Sequence, residues 1–276
     1  MKTGVDIGGS LTKVVTIEGD ERRYCLLEHT DASSVAKMIP HEGEIYVTGC
    51  GAKEVVRRLG RHAHVADELQ SFCAGARQLF TEEGHGQDPF VLVSMGTGTS
   101  VFYVSPTSGT RAAGTGVGGG TIIGLGSLVL STRDFGKIME MASIGKRQRV
   151  DLMVSDLYRD AADSPVLSAL TAANFGRASG GSLGCGGPDD AKAATPATLE
   201  DISSAIVQVV VETVAVLSIQ VARTYKAHSV VVAGSPSSHP LIRDRFLELK
   251  GLLGHEFTFL EHGAFCGALG ATLLSR

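Results

Sequence analysis

Asp6-Ile7-Gly8-Gly9-Ser10-Leu11-Thr12-Lys13 decides how this chain is read, because two glycines stand between the β-branched runs Thr3–Ile7 and Leu11–Ile17. Glycine lets a backbone turn come close to a polyphosphate and present N–H donors to it. A Walker loop or a dinucleotide fingerprint needs a helix after its glycines, whereas Val14, Val15, Thr16 and Ile17 favour a strand. The chain contains no G-x-x-x-x-G-K-[ST]. The specific reading is a phosphate-binding β-hairpin, with Asp6 beside a metal and Lys13 either pairing with phosphate or covering the strand edge. A ligand-free hairpin turn fits the same residues.

Working outward, Arg22–Glu28 adds a third strand to an antiparallel meander. Glu44–Thr48 reads as a strand, Ala52–Leu59 and Ala66–Phe80 as helices, and Pro89–Met95 and Thr99–Val104 as strands. Between the last two lies a second glycine and hydroxyl turn, Ser94-Met95-Gly96-Thr97-Gly98-Thr99-Ser100. Gly114 to Gly120 is dense in glycine and leads into a helix-like run ending at Leu130, which places free N–H groups where an anion is favoured. The remainder is largely helical apart from Ser229–Ala233 and Glu256–Leu260, and Val230–Ser235 ends in a strand turn that could lie against adenine or ribose. Ser179 to Pro196, rich in Gly, Ser, Ala and Pro, reads as a loop. The alternation gives an α/β fold.

The 276 residues, 43% hydrophobic and 20% charged, are enough to bury a core. A net charge of −4 and a pI near 6.1 leave no positive field for nucleic acid or anionic lipid, so neither is expected as a partner. Five scattered cysteines without a C-x-x-C pair read as reduced thiols, and the start on a strand-like segment without a leader places the chain in the cytoplasm. Ala205–Ala222 is apolar, but Gln208, Glu212 and Gln220 interrupt it, which favours a core or dimer helix over a membrane span. His62 and His64 lack a third metal ligand in the pattern, as do His255 and His262. Lys146, Arg147 and Arg149 read as a basic helix C-terminus.

Nearly the whole chain resembles the type II pantothenate kinases. The resemblance rests on Asp6–Lys13, Val65-Ala66-Asp67-Glu68-Leu69, Gly96–Ser100, Arg111 ahead of Gly114–Gly124, Met139–Ser143, Asn174-Phe175-Gly176, Val232-Ala233-Gly234 and Glu261–Gly270. It implies a two-lobed actin/hexokinase-like (ribonuclease H-like) fold, with lobes at about 1–113 and 114–276 and the nucleotide cleft between them. It further implies ATP and magnesium as cofactors and pantothenate as substrate, and it points to a homodimer, as does the all-round hydrophobicity of the helix Leu199–Arg223. The long insertions of the animal enzymes are lacking, so CoA or acyl-CoA is a regulator to be tested rather than one the resemblance carries over. Carried over by residue, Asp6, Ile7, Gly8, Gly9, Ser10, Leu11, Thr12 and Lys13 form the first phosphate loop, with Asp6 holding magnesium through water, and Glu68 is the catalytic carboxylate. Ser100 and Arg111 contact pantothenate. Thr97, Gly119, Gly120, Thr121, Ile122, Ile123 and Phe135 line the nucleotide, and Gly234 or Ser235 its adenosine end. Ser10 stands where many relatives have Thr, and Phe135 where some have Tyr. Three rivals stay open: a sugar kinase of the same superfamily acting on glucose or N-acetylglucosamine, the ATPase activator of 2-hydroxyacyl-CoA dehydratases, and a nucleotide-binding regulator without turnover.

Overall fold

The computed structural model describes residues 1–28, 31–158, 170–179 and 196–274. The first five strands are β1 (Lys2–Ile7), β2 (Leu11–Glu18), β3 (Glu21–Glu28), β4 (Glu44–Thr48) and β5 (His64–Val65), and they form one sheet in the order β3-β2-β1-β4-β5. Strand β2 runs antiparallel to both β1 and β3, while β1, β4 and β5 run parallel. A second sheet is built from β6 (Phe90–Met95), β7 (Thr99–Val104), β8 (Gly109–Thr115), β11 (Ser229–Ala233) and β12 (Glu256–Phe259), in the order β12-β11-β6-β7-β8. Its strand directions match the first: β7 is antiparallel to β6 and β8, and β11 is parallel to β6 and β12. One topology therefore occurs twice. The two hairpins with glycine turns, β1–β2 and β6–β7, hold the same place in each copy. A separate two-stranded piece pairs β9 (Leu152–Met153) with β10 (Thr171–Ala173).

The helices are α1 (Ala32–Met38), α2 (Ala52–Leu59), α3 (Glu68–Glu82), α4 (Gly119–Val129), α5 (Phe135–Ile144), α6 (Leu199–Tyr225), α7 (Pro240–Leu253) and α8 (Cys266–Ala271), with a one-turn helix at Val154–Leu157. The chain divides into two compact units, Met1–Gly116 with Leu217–His239 and Glu256–Arg276, and Val117–Val216 with Pro240–His255. Both five-stranded sheets belong to the first.

Within that first unit, Val5, Ile7, Ile45 and Val47 pack with Val35 and Ile39 at α1 and with Ala52 and Val55 of α2. A second cluster joins Val15, Leu92, Phe102 and Val231 to Cys73, Ala76, Leu79 and Phe80 of α3 and to Cys266, Ala268 and Leu269 of α8. Glycine makes this closeness possible. A Cβ on Gly75 would overlap the carbonyl oxygen of Cys266, and one on Gly270 would overlap that of Ser71, so α3 and α8 meet backbone to backbone.

Several expectations need adjustment. The helix expected from Ala66 begins at Glu68, because Asp67 is its N-cap, its carboxylate accepting from the Gln70 N–H at 2.9 Å. The Ala66 N–H is already given to Val47 O at 2.9 Å. Arg147 is not a solvated helix end: it is buried, 3.4 Å from the Asp151 carboxylate and donating to Thr171 Oγ1 at 2.8 Å. Burial raises the Asp151 carboxyl above its usual range, against the opposing pull of the Phe175 N–H and Arg147. Helix α6 is long and apolar enough to cross a membrane, yet 67% of its apolar window is buried inside the chain. Most of the expected 179–196 loop, with Cys185, lies outside the described residues.

Candidate active site

The first glycine turn closes with the Gly8 N–H donating to Leu11 O at 3.1 Å, and the second with Gly96 N–H donating to Gly98 O at 2.8 Å. Gly9, Ser10, Gly96 and Thr97 are exposed at the two tips. A Cβ built on Gly9 would stand 3.9 Å from Thr97 Oγ1, so the turns meet tip to tip. The two exposed glycine tips therefore border one space, and backbone N–H groups of such turns suit a chain of phosphates.

Asp6 lies behind the first turn, opposite Lys13 in the β1–β2 register, with Lys13 Nζ 3.9 Å from Asp6 Oδ2. Its carboxylate is wedged between bare α-carbons: a Cβ on Gly49 would lie 2.7 Å from Oδ1, and one on Gly267 2.7 Å from Oδ2. Burial pushes the Asp6 carboxyl up to about 6, opposed by the Lys13 ammonium and reinforced by the negative charge of Glu68. Two carboxylates thus act on one locality. The Asp67 and Ala66 contacts fix the start of α3, and Thr48 Oγ1 adds a bond to Ala66 O at 3.1 Å. Asp67 is committed to its cap, while Glu68, the first helical residue, is exposed.

Ser100 pairs with Gly114 across β7–β8, and Phe102 pairs with Arg111, so the shift between them leaves Ala112 as an extra residue. In a regular strand residues 111 and 114 would face opposite ways; this bulge returns Arg111 to the face of Ser100. Arg111 Nε donates to Ser100 Oγ at 3.4 Å, and its guanidinium lies where a Cβ on Gly114 would be. Gln70 Nε2 donates to Gly109 O at 3.1 Å, tying the start of α3 to the strand that carries Arg111.

The turn after β11 repeats the one after β4. Gly234, with φ of 106°, abuts the Met95 carbonyl oxygen, as Gly49, with φ of 90°, abuts that of Ile7. Ser235 Oγ is buried without a hydrogen-bond partner. The first unit therefore carries Asp6 to Lys13, Thr97, Ser100, Gly234 and Ser235 on strands and turns of the two sheets, Arg111 within β8 and Glu68 at the start of α3.

In the second unit, Gly119 to Ile123 form the start of α4, where the Gly118 N–H donates to Thr121 Oγ1 at 3.1 Å. Ile122 is fully buried, so only its backbone can reach a ligand, and the same holds for the buried Ile7 and Thr12. Phe135 is the first residue of α5, capped by Asp134, whose Oδ1 accepts from the Lys137 N–H at 3.1 Å. Gly126 packs against Ile138, joining α4 to α5. Sequence reasoning missed Gly49 and Gly267 as walls of the Asp6 seat and Gly114 as the seat of Arg111. The signal available was the Gly-x-Gly of Gly49-Cys50-Gly51 directly after a strand.

A duplicated β3-β2-β1-β4-β5 sheet whose glycine hairpins converge defines the class: an actin/hexokinase-like ATPase fold. Solved structures agree, including the activator of 2-hydroxyisocaproyl-CoA dehydratase from Clostridium difficile with bound ADPNP, 17% identical, TM-score 0.60, covering 99% of this chain and 92% of that one. A ROK family glucokinase from Streptomyces griseus, solved with glucose and AMPPNP, is 14% identical with TM-score 0.51 over 100% and 99% of the two chains. At such identities the likeness is one of fold. The Fumble family model matches residues 24–274. Type II pantothenate kinases of Staphylococcus haemolyticus and Staphylococcus saprophyticus are 34% and 32% identical, covering 100% and 98% of this chain and 100% and 99% of theirs. The chain belongs to the type II pantothenate kinase family.

Proposed function

We propose that this chain transfers the γ-phosphoryl group of ATP to the hydroxyl of pantothenate, giving 4′-phosphopantothenate at the entry to coenzyme A synthesis. Full-length kinship with type II pantothenate kinases supports the reaction. The observation that carries the assignment of roles is the exposed Glu68 carboxylate near Asp6, beside two converging glycine turns and an Arg111 guanidinium seated on Gly114.

Phosphoryl transfer has a loose transition state, so positioning and charge neutralisation do most of the work. The backbone N–H groups of Gly9 and Ser10 and of Thr97 and Gly98 hold the phosphates, assisted by the Lys13 ammonium. Glu68 accepts the proton of the attacking hydroxyl, which is a poor nucleophile until that proton has an acceptor. Arg111 and Ser100 grip the pantothenate carboxylate and set the hydroxyl's distance from the phosphoryl group. Ser235, a buried hydroxyl without a partner, suits the adenosine end. The family resemblance also assigns nucleotide contacts to Gly119 to Ile123 and to Phe135.

A buried carboxylate that among the described residues faces one ammonium, at 3.9 Å, fits a hydrated divalent cation, so Asp6 is the residue that would hold magnesium through water. Magnesium would supply neutralisation of charge on the phosphate oxygens. A cytoplasmic homodimer is supported by the apolar helix α6 and by the family resemblance, with CoA or acyl-CoA control to be tested.

The test is an ATP-consumption assay with pantothenate, glucose and N-acetylglucosamine in parallel. Turnover with pantothenate and background rates with the sugars is expected. Phosphorylation of either sugar with pantothenate inert would overturn the assignment.

A further inference from the structure

Thr48 is the last residue of β4, and its main chain and side chain serve different neighbours. Its main chain pairs in register with Asp6 on β1. Its Oγ1 donates to the carbonyl of Ala66 at 3.1 Å. The pairing of β4 with β5 ends at Val47 and Val65, and Ala66 is then held at both polar groups, its N–H by Val47 O at 2.9 Å and its carbonyl by the threonine hydroxyl. Two residues later Glu68 opens α3. Thr48 is completely buried, so it does not itself meet a substrate. A β-branched side chain has little χ1 freedom, which makes this hydroxyl a stiff spacer. One residue thus links the strand beside Asp6 to the segment that leads into Glu68, whose negative charge is felt at Asp6.

We propose that Thr48 is a positioning residue for the phosphoryl transfer: by holding Ala66 from the strand that pairs with Asp6, its hydroxyl sets where the Glu68 carboxylate stands relative to the end of β1. This rests on the reading of Glu68 as proton acceptor given above. Without the bond, Asp67 still caps α3 through the Gln70 N–H, so the helix forms but its first turn is free to move away from β4. A displacement of about 1 Å at a catalytic group can cost on the order of 10²-fold in rate. The loss falls on kcat, because Thr48 contacts neither substrate.

The experiment measures kcat, KM for ATP and the thermal midpoint of Thr48→Val and Thr48→Ser, each alone and combined with Glu68→Gln. Valine keeps the shape and removes the hydroxyl; serine keeps the hydroxyl. Thr48→Val should lower kcat roughly 10- to 100-fold with KM for ATP little changed, and Thr48→Ser should stay within a few-fold of wild type. In the Glu68→Gln background Thr48→Val should cost little more, since the group it positions is already disabled. A Thr48→Val protein that melts lower yet turns over normally while folded would overturn the proposal, as would equal losses in the valine and serine variants or full additivity with Glu68→Gln. If the valine variant does not fold, Thr48→Ala takes its place with the same expectation. Near-normal turnover of Glu68→Gln alone would instead sink the assignment of the base, and a wild-type protein inert toward pantothenate the pantothenate reading itself.

Discussion

The two glycine turns meet at Gly9 and Thr97, where a methyl built on Gly9 stands 3.9 Å from the threonine hydroxyl oxygen. That is ordinary contact distance, so Gly9→Ala is accommodated by the fold. The same methyl fills part of the space assigned to phosphate oxygens. Steady-state kinetics of Gly9→Ala should show KM for ATP raised roughly tenfold, about 1.4 kcal/mol of lost binding, with thermal stability near wild type. An unaltered KM for ATP would place the phosphates elsewhere.

Arg111 and Gly114 should act as one device. Removing a bidentate, charge-assisted contact costs on the order of 2–3 kcal/mol, so Arg111→Ala should lower kcat/KM for pantothenate by ~30–150-fold. Gly114→Ala would put a methyl where the guanidinium now lies, and the flexible arginine would yield. It should reproduce much of the pantothenate defect while leaving KM for ATP alone. Normal pantothenate kinetics in both variants would remove Arg111 from the acceptor site.

Asp6 makes the protein's stability depend on pH in a direction opposite to that of a salt-bridged carboxylate. Its folded-state value is raised from 3.8 to about 6, so between these values the native chain binds more protons than the unfolded one. Stability attributable to this group therefore falls as pH rises through that window, by up to the order of 3 kcal/mol, and stays low above it. In metal-free protein, Asp6→Asn should be more resistant to urea than wild type at pH 8, with the difference closing toward pH 4.5. Equal midpoints at pH 8 would show that the carboxylate is not penalised by burial.

How far the sequence revealed these features varied with the range of the interactions behind them. The hairpins were legible because glycine pairs between β-branched runs signal their own turns. Strand β8 was not: Gly109, Ala112, Ala113 and Gly114 have little strand preference, and pairing with β7 makes them a strand. The bulge that turns Arg111 toward Ser100 belongs to that pairing as well, so Arg111 could be named but not aimed. Arg147 looked like a helix end because its partners, Asp151 and Thr171, are brought to it by the fold. The seat of Asp6 joins Gly49 to Gly267, and no local pattern links residues so far apart.

The meeting of α3 and α8 should be intolerant of a single methyl. A Cβ on Gly270 would overlap the Ser71 carbonyl oxygen and come within 2.7 Å of the Gly75 nitrogen, both backbone atoms that cannot swing away. Gly270→Ala should cost about 3 kcal/mol, lowering the thermal midpoint by roughly 6–12 °C. Gly124→Ala, on a helix with nothing within 4 Å of the new methyl, should be neutral or mildly stabilising. Similar midpoints for the two variants would mean the helices can separate freely.

The proposed role of Glu68, rather than its neighbour Asp67, as acceptor of the pantothenate hydroxyl proton rests on the start of α3. Asp67 caps α3 through the Gln70 N–H, a role asparagine also fills, whereas Glu68 is exposed at the first helical position. The direct measurement is kcat at saturating ATP and pantothenate for Glu68→Gln and Asp67→Asn, with ATP binding measured alongside. Glu68→Gln should lower kcat by ~10²–10⁴ with ATP affinity little changed, and Asp67→Asn should stay within a few-fold of wild type. Near-normal turnover in Glu68→Gln, or a dead Asp67→Asn, would contradict the account.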